Sequence, residues 1–436
     1  MKIYFIQSTP YDARGNLIKK SQLYFVGLAP AILAALVPDW DFEICLETIE
    51  DVDFNSDADI IAVSGMGHAM IRSIHIAEQF KARGKTVIMG GYMASLVPHE
   101  ALKHCDSVVV GDGEVAFPIL LRDYAAGCLK PMYQIPLKNL SYPLPRYDLL
   151  AAKKIGNFLP VQAGRGCPNA CSFCSVSCLY RGSYIKRNID EVIRDIKEIK
   201  RLGYRRFLLL DDNICSDKPY MRELCREISS LRMQWFSQCS IRIADDDELL
   251  RAVAESGCAA LSFGLESISQ QSLDSMNKRW SKVADYERQL AKIAAAGIDL
   301  STEMVVGADG DTLESIEKTA DFIVRNKIAI PRFYILTPIP GTDFFVEMQQ
   351  QNRIINDDIY SYSGAQAVHL PMNMMPDELT EAYWSLYKRV FSLRSILMRT
   401  VFKRGFLKSP LKCIFYCYVN LYYRYQIRRG ITPNII

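Results

Sequence analysis

Three cysteines stand within eight residues of this chain, and their spacing limits what the surrounding loop can hold. Cys167, Cys171 and Cys174 follow the pattern CxxxCxxC. Structural 4Fe–4S clusters normally take four cysteines, so three thiolates leave one iron open to a further ligand. A zinc site and three buried thiols are the alternatives. Zinc sites usually pair CxxC with a distant second pair, which this sequence lacks. The spacing therefore favours a cluster with an open iron.

Length and cysteine usage predict a multidomain protein of a reducing compartment. The chain has 436 residues and thirteen cysteines, an odd number that favours free thiols and metal ligands over disulfides. The N-terminus begins directly with a strand-like run, so we expect no export signal. The longest apolar runs, 26–37 and 411–423, are too short to span a bilayer. We therefore expect a cytoplasmic protein without a transmembrane helix.

Charge is distributed unevenly along the chain. The net charge is only +3, but no acidic residue follows Glu381, while 11 of the 52 basic residues do. These are Lys388, Arg389, Arg394, Arg399, Lys403, Arg404, Lys408, Lys412, Arg424, Arg428 and Arg429. Aromatic residues interleave with them: Trp384, Tyr387, Phe391, Phe402, Phe406, Phe415, Tyr416, Tyr422 and Tyr423. This tail is typical of a segment that meets an anionic surface.

The first part of the chain, residues 1–145, alternates apolar strands with helical stretches. Strands are predicted at 2–7, 41–46, 60–64, 86–89 and 107–110, and helices at 27–37, 70–83 and 97–104. This alternation predicts a doubly wound parallel sheet, whose ligands bind at the carboxyl ends of the strands. Those ends are rich in glycine, which allows close backbone approach to a ligand, although turns also use glycine. The residues concerned are Gly65, His68, Gly90, Gly91, Gly111 and Glu114.

The second part, residues 155–350, repeats a strand followed by a helix six times. Strands are predicted at 158–163, 206–210, 233–240, 259–263, 300–306 and 333–336. Six such units predict a partial (β/α)6 barrel with its chemistry at the carboxyl-end rim. The cysteine loop follows the first of these strands and so belongs to that rim. Residues 351–436 are predicted to form a mostly helical C-terminal extension.

Taken together, these motifs resemble a known enzyme family. CxxxCxxC resembles the signature of the radical S-adenosylmethionine (SAM) enzymes, in which the open iron binds SAM. The ordered run of Gly90-Gly91, Pro98-His99-Glu100-Ala101-Leu102 and Gly111-Asp112-Gly113-Glu114 is similar to the cobalamin-binding domain that precedes the cluster domain in one large radical SAM class. That class includes hopanoid methylases and the anaerobic magnesium-protoporphyrin cyclase.

The resemblance implies residue roles at the barrel rim. Asp212 is placed where the family holds the SAM amine, and Gly307 where adenine approaches the backbone. Gln238, Ser240 and Glu266 match positions for ribose or methionine contacts. Ordinary capping of strand ends is the alternative for Gln238 and Ser240.

For cobalamin, the resemblance implies contacts from the glycine-rich strand ends of the first part. The motif DxHxxG, whose histidine replaces the lower ligand of cobalt in many cobalamin proteins, is absent. His68 either approaches the corrin or is a polar loop residue without a ligand role. Cys178 extends the cysteine run, but we expect it to face the following helix.

The resemblance also implies the reaction. A 4Fe–4S cluster reduced by an external donor such as flavodoxin or ferredoxin cleaves SAM to a 5′-deoxyadenosyl radical. Methylcobalamin then delivers a methyl group to a lipid or other small-molecule substrate. One alternative is ring formation or rearrangement with a non-methylating or empty cobalamin domain. Another is tRNA modification, although the additional cysteine triplet of methylthiotransferases is absent, so we do not expect a nucleic-acid partner. The tail either lies on an anionic membrane, caps the barrel or holds RNA; we expect the membrane surface.

Overall fold

The structure is a computed structural model of the chain, and it describes residues 1–12, 15–356, 358, 361–402 and 409–433. Its strand topology contains two six-stranded parallel sheets and one two-stranded sheet. This confirms the predicted α/β fold class of a doubly wound sheet followed by a partial barrel and a helical C-terminal region. The described chain divides into two compact units. Unit 1 comprises Met1–Arg165 and Ile185–Leu210, and unit 2 comprises Gly166–Tyr184 and the residues from Asp211 onward.

Fourteen strands are present in the described part of the chain. They are β1 (Lys2–Gln7), β2 (Asp41–Leu46), β3 (Ile60–Ser64), β4 (Thr86–Gly90), β5 (Ser107–Val110), β6 (Met132–Gln134), β7 (Leu159–Val161), β8 (Gly164–Gly166), β9 (Tyr184–Lys186), β10 (Arg206–Leu209), β11 (Gln234–Cys239), β12 (Cys258–Glu266), β13 (Asp299–Val306) and β14 (Ile330–Ile335). The sheet orders are β2-β1-β3-β4-β5-β6, β14-β13-β12-β11-β10-β7 and β8-β9.

Seventeen α-helices accompany these strands in the described residues. They are α1 (Ala29–Leu36), α2 (Met70–Lys81), α3 (Tyr92–Leu96), α4 (Pro98–Leu102), α5 (Gly113–Ala125), α6 (Tyr147–Ala151), α7 (Ser175–Tyr180), α8 (Ile189–Arg201), α9 (Lys218–Ser229), α10 (Asp247–Glu255), α11 (Gln270–Ser275), α12 (Tyr286–Ala295), α13 (Leu313–Arg325), α14 (Asp343–Gln350), α15 (Pro376–Val390), α16 (Leu393–Thr400) and α17 (Pro410–Arg428). Short 3₁₀ helices occupy Gly67–Ala69, Ile241–Asp245 and Val283–Asp285.

Unit 1 is built on the first sheet. β1, β3 and β5 are mostly apolar and buried, as expected for inner strands of a parallel sheet covered by helices on both faces. β1 pairs with both β2 and β3, so the strand order reverses there. In doubly wound sheets such a switch point opens a crevice at the carboxyl ends of the strands. The loops after β1 and β3 therefore border the place where a ligand of this sheet binds.

Unit 2 contains the parallel strands β11 to β14, with amphipathic helices between them. Pairing runs β11–β12–β13–β14 in chain order. β14 is an edge strand, and α15 covers it. The Tyr387 hydroxyl both accepts from the Phe333 N–H and donates to the Phe333 carbonyl, each across 3.0 Å. This side chain thus satisfies backbone groups that an edge strand leaves without a partner.

Part of the aromatic, basic tail packs inside unit 2. Tyr387, Phe391 and Tyr423 are buried, as is Arg399. The Arg399 guanidinium donates to the carbonyls of residues 328, 329 and 390 and to the side-chain oxygen of residue 420. Capping of the barrel therefore accounts for these residues. Of the predicted anionic-surface residues, Lys403, Arg404, Phe406 and Lys408 lie outside the described residues.

Predicted and observed elements differ mainly where elements are short. The structure adds β6, β8 and β9, which have three residues each and include polar residues or glycine, so no apolar run marks them. In place of a helix over 97–104, α3 ends at Leu96 and α4 begins at Pro98, a residue that suits the first helical turn. Among the described helices, none combines the length and apolar character needed to cross a membrane. The predicted domain boundaries at 145, 155 and 350 stay predictions.

Candidate active site

The three cysteines lie on one loop of unit 2, between Gly166 and α7. Cys171 is buried, while Cys167 and Cys174 are partly buried. Gly166 has a φ of +89°, and a side chain there would come within 2.2 Å of the Ser183 carbonyl oxygen. Only glycine can therefore start the loop in this way.

The backbone of the cysteine loop is held from several sides. Ser172 N–H donates to the Met276 carbonyl across 3.1 Å, and the Phe344 N–H donates to the Ser172 carbonyl across 2.9 Å. The Asn277 side chain donates to the Ala170 carbonyl across 2.6 Å. These bonds give the thiols a defined arrangement, as a preorganised metal site requires.

Burial changes the acidity of the thiols. It raises the pKa of Cys171 to about 12, and it also raises the pKa of Cys174. Metal ligands must be thiolates, so binding of iron at this loop releases protons. Within the described residues, no group of three His, Cys, Asp or Glu side chains is arranged to share a single metal ion. A 4Fe–4S cube instead takes one thiolate at each of three irons.

The thiol of Cys178 forms a hydrogen bond away from the other three cysteines. It lies in α7, and its Sγ donates to the Gly341 carbonyl across 2.7 Å. Burial raises the pKa of its thiol as well. This geometry favours a structural role for Cys178 over a fourth ligand.

Asp212 ties the end of β10 to the start of the cysteine loop. Its Oδ2 accepts from the Gly166 N–H across 2.8 Å. The neighbouring Asp211 is buried and accepts from the Tyr184 hydroxyl across 3.2 Å. Two carboxylates thus stand next to the cluster loop, where they can attract the ammonium group of SAM.

Gln238 and Ser240 lie at the end of β11. Gln238 is exposed, and its backbone carbonyl accepts from the Ile214 N–H across 3.3 Å. Ser240 caps the 3₁₀ helix Ile241–Asp245 by accepting from the Arg242 N–H across 3.3 Å. Capping is therefore the role of Ser240 that this geometry supports.

Glu266, at the end of β12, forms a buried ion pair. Its Oε1 accepts from the Lys278 ammonium across 2.7 Å, and the same ammonium donates to the Gly264 carbonyl across 2.7 Å. Both side chains are at most 10% exposed. Glu266 also has a φ of +63°, a left-handed conformation that is uncommon outside glycine. Strained backbone of this kind is often found at functional sites.

Both backbone polar groups of Gly307 contact side chains from elsewhere in unit 2. Its N–H donates to Asp311 Oδ2 across 2.9 Å, and its carbonyl contacts His369 Nε2 across 3.2 Å. A side chain at Gly307, whose φ is +92°, would meet Leu379 at 2.5 Å. The glycine therefore serves the packing of α15 as well as any close approach of adenine.

Asp311, His369 and Lys278 contact the predicted site residues Gly307 and Glu266, and sequence reasoning missed all three. Asp311 is buried and also accepts from the hydroxyls of Ser272 and Ser267, across 2.6 and 3.2 Å. Burial raises its pKa, although four donors surround the carboxylate. Asp311 could have been proposed from the sequence, because it is an acidic residue in the turn that follows Gly307. Nothing in the local sequence indicates that His369 contacts this turn.

In unit 1, several of the predicted cobalamin residues are explained by packing within the unit. A side chain at Gly65 would lie 2.5 Å from Ser73 Oγ, and one at Gly91, with a φ of +95°, would lie 2.6 Å from Ser64 Oγ. The Gly111 N–H donates to Ser95 Oγ across 2.8 Å. Gly90 differs, because a side chain there would make only ordinary contacts, at 3.7 Å or more.

Glu114 and His68 have contrasting surroundings. Glu114 accepts from the Arg165 guanidinium, with Oε1 and Nη2 separated by 2.7 Å, and Asp112 accepts from the same guanidinium. His68 lies in the turn after β3, and its buried Nδ1 has no hydrogen-bond partner among the described residues. Burial lowers the pKa of His68, so its imidazole is neutral near pH 7. Glu114 is thus committed to an ion pair, whereas His68 retains a nitrogen for a further contact.

The residues fit the cofactors that the sequence suggested. Three thiols on an anchored loop match a cube with one open iron, and the carboxylates beside it match the charge of the SAM amine. In unit 1, Gly65 and His68 follow β3 at the switch point of the first sheet, and the buried His68 Nδ1 has no hydrogen-bond partner among the described residues.

Comparison with known proteins identifies the family of each of the two parts of the chain. Residues 161–323 match the model of the radical SAM superfamily, and residues 31–121 match that of the B12 binding domain. The chain is 30% identical to bacteriochlorophyllide d C-12(1)-methyltransferase of Chlorobaculum tepidum over 389 residues, or 87% of this chain and 83% of that protein. It is 23% identical to hopanoid C-2 methylase of Rhodopseudomonas palustris over 75% of this chain and 65% of that protein.

A solved structure supports the fold. The cobalamin-dependent SAM radical enzyme OxsB, with aqua-cobalamin bound, aligns over 98% of this chain and 73% of its own, with a TM-score of 0.68 and 13% identity. The two family models and the 30% identity to a methyltransferase over 87% of the chain show that this chain belongs to the cobalamin-binding radical SAM enzymes, and its cofactors are a 4Fe–4S cluster, SAM and cobalamin.

Proposed function

We propose that this enzyme methylates a carbon atom of a lipid-soluble small molecule, of the tetrapyrrole or polycyclic lipid type. The observation that carries the proposal is the presence of both cofactor modules in one chain that is similar along 87% of its length to a C-methyltransferase. Similarity to a methylase named for a hopanoid lipid supports the apolar character of the substrate. When bound, the cluster supplies the electron that cleaves SAM, and cobalamin supplies the methyl group.

The protein's own contribution is to bind, orient and exclude water. Asp212 and Asp211 suit the SAM ammonium. Asp311 and His369 both contact the backbone of Gly307, which holds in place the turn that we expect to face adenine. A turn held in this way would keep bound SAM oriented toward the substrate carbon.

Methyl transfer can be tested with labelled SAM. The anaerobically reconstituted enzyme, with cobalamin and a flavodoxin reducing system, receives SAM carrying a trideuterated methyl group and one candidate substrate. A bacteriochlorophyllide and a hopanoid serve as separate arms. We expect a product enlarged by one labelled methyl group in one arm and none with Cys171→Ala. SAM cleavage with ring closure and no label in the product would instead support the cyclisation alternative.

Cobalamin binding can be tested at Gly90. Gly90→Val places a branched side chain at the end of β4, where the chain's own packing leaves ordinary contact distances. We expect loss of stoichiometric cobalamin, measured by its absorbance after gel filtration, with an unchanged thermal midpoint of the cobalamin-free protein. Full cobalamin occupancy in this variant would contradict a role for Gly90 at the ligand.

Association with an anionic membrane surface is a second part of the proposal. One face of α17 is apolar and exposed, with seven side chains between 42% and 81% accessible. This apolar stripe consists of Leu411, Ile414, Phe415, Tyr418, Leu421, Tyr422 and Tyr425. The spacing of three and four residues keeps them on one side of the helix, while Cys413, Asn420 and Tyr423 on the other side are buried.

The charge around the apolar stripe supports its binding to an anionic lipid surface. Arg428 and Arg429 are exposed at the end of α17, and no acidic residue follows Glu381. Apolar and aromatic side chains favour the headgroup boundary, and basic ones favour anionic lipid. Each basic residue near such a surface contributes about 1 kcal/mol. An apolar substrate that resides in the membrane would then reach the enzyme directly.

Vesicle co-sedimentation tests this surface. Truncation is unsuitable because Tyr387, Phe391 and Arg399 are buried. We expect binding to phosphatidylglycerol-containing vesicles and not to pure phosphatidylcholine. Vesicle binding should fall roughly thirtyfold in Arg428→Gln/Arg429→Gln, because two basic residues contribute about 1 kcal/mol each. It should also fall in Phe415→Ser/Tyr418→Ser, which removes apolar contact with the lipid. Val346→Ser, at an exposed valine of α14, is the matched control. Unchanged vesicle binding in both double variants would reject the surface, and loss of a dimer in Phe415→Ser/Tyr418→Ser would assign the stripe to a second copy.

A further inference from the structure

Asn213 is a buried amide directly behind the cysteine loop, and every part of its side chain is engaged. Its Oδ1 accepts from the Cys215 N–H across 3.2 Å and from the Ser240 N–H across 3.0 Å. Its Nδ2 donates to Cys167 Sγ across 3.7 Å, a distance that suits the large sulfur atom. The amide thus joins the loops after β10 and β11 to a cysteine of the cluster loop.

The two backbone donors determine which way the amide points. In the reversed orientation the NH₂ group would face both N–H groups, and the carbonyl oxygen would face sulfur. All three hydrogen bonds would be lost, in a buried place where unsatisfied polar groups are costly. The NH₂ group must therefore face Cys167.

A donor at this sulfur has an electrostatic consequence once iron is bound. The thiolate carries negative charge, and that charge grows when the cluster takes up an electron. A hydrogen bond to the sulfur stabilises the more negative, reduced form more strongly, and such bonds are among the determinants of cluster potential. We propose that Asn213 is a positioning residue that raises the midpoint potential of the cluster through its hydrogen bond to the Cys167 thiolate. The inference rests on Cys167 as a ligand and not on the identity of the substrate.

Two substitutions remove the donor in different ways. Asn213→Asp keeps an oxygen acceptor for Cys215 and Ser240 but places a carboxylate against the sulfur. Asn213→Ala removes the donor without adding charge. The matched control is Asn277→Asp, which makes the same chemical change at an amide that anchors the same loop through the Ala170 carbonyl.

The test is a redox titration of the reconstituted holoenzyme, followed by electron paramagnetic resonance and accompanied by iron and sulfide analysis. With four irons per chain retained, the ratio of reduced to oxidised cluster at the wild-type midpoint should fall about tenfold in Asn213→Asp, equivalent to about 59 mV for one electron. Asn213→Ala should shift the ratio in the same direction, and Asn277→Asp should leave it unchanged. An unshifted potential in both Asn213 variants, an equal shift in the control, or loss of the cluster from both Asn213 variants would overturn the proposal.

Discussion

The Asp212 carboxylate accepts a hydrogen bond from the Gly166 N–H across 2.8 Å, so a residue that the sequence assigns to SAM also anchors the cysteine loop. The two roles are compatible, because a carboxylate has two oxygens that accept several hydrogen bonds. They predict different responses to different substitutions.

Asp212→Asn retains an acceptor for Gly166 but loses the negative charge that we expect to attract the SAM ammonium. We expect full iron content and about a tenfold or greater loss of SAM affinity, because a charge-assisted bond contributes about 1.5–3 kcal/mol. Asp212→Ala should also lower cluster occupancy. Equilibrium dialysis of labelled SAM and iron analysis separate the effects. Wild-type SAM affinity in Asp212→Asn would restrict Asp212 to anchoring the loop.

Cys167→Ala, Cys171→Ala and Cys174→Ala should each abolish the cluster and SAM cleavage, because three thiolates are the minimum for a cube with one open iron. Cys178→Ala should keep its iron, since this thiol donates to the Gly341 carbonyl. Anaerobic iron and sulfide counts on the four variants check this. Loss of iron from Cys178→Ala would reassign the ligands.

Lys278→Met should destabilise the fold, because it leaves the buried Glu266 carboxylate without its cation. We expect the free energy of unfolding to fall by about 3–5 kcal/mol, and Lys278→Met/Glu266→Gln to recover much of that loss. Urea denaturation of the cluster-free protein, followed by tryptophan fluorescence, measures both. A double variant as unstable as Lys278→Met would show that the cost does not arise from an unpaired charge.

His369 should make the protein sensitive to acid. Burial is the main cause that lowers its pKa from 6.5 to about 4. The hydrogen bond to the Gly307 carbonyl and nearby Asp309 oppose this shift, whereas Arg353 adds to it. The unfolded chain therefore binds more protons between about pH 4 and 6.5, so stability is retained above this window and lost as pH falls through it. At pH 5 the loss is about 2 kcal/mol.

His369→Gln keeps a donor toward the Gly307 carbonyl and removes the titration. Denaturation of both proteins at pH 5 and pH 8 should show a smaller pH effect in the variant. Equal pH effects in both would mean that His369 titrates normally in the folded protein.

The succession of strands and helices along the chain was predictable from local sequence patterns. β1, β2, β3 and β5 have the predicted bounds, because a buried parallel strand is a short apolar run between turn residues. β6 was not recognised, because its three residues do not form an apolar run, whereas the equally short β7 lies in one. The ends of α3 and α4 depend on where Pro98 interrupts the helix, which periodicity does not capture.

The sequence did not show which aromatic residues of the tail are buried and which are exposed, because buried and exposed ones occur in the same kind of sequence context. Tyr423 is buried against Phe391, whereas its neighbour Tyr422 is exposed on the apolar stripe. Adjacent residues on a helix point about 100° apart, so packing of one face decides which of them reaches solvent.

The sequence by itself determined the cluster loop, the resemblance of two parts of the chain to cofactor-binding modules, and the succession of strands along the chain, because these follow from motifs and spacings of a few residues. Only the tertiary structure decided the partners: Asn213 with Cys167 across 46 residues, His369 with Gly307 across 62, and Glu266 with Lys278. Parallel strands joined through helices bring together loops that are distant in the chain. Which residues of two such loops form a hydrogen bond depends on how the intervening helices position the following strand. A local sequence pattern does not contain that information.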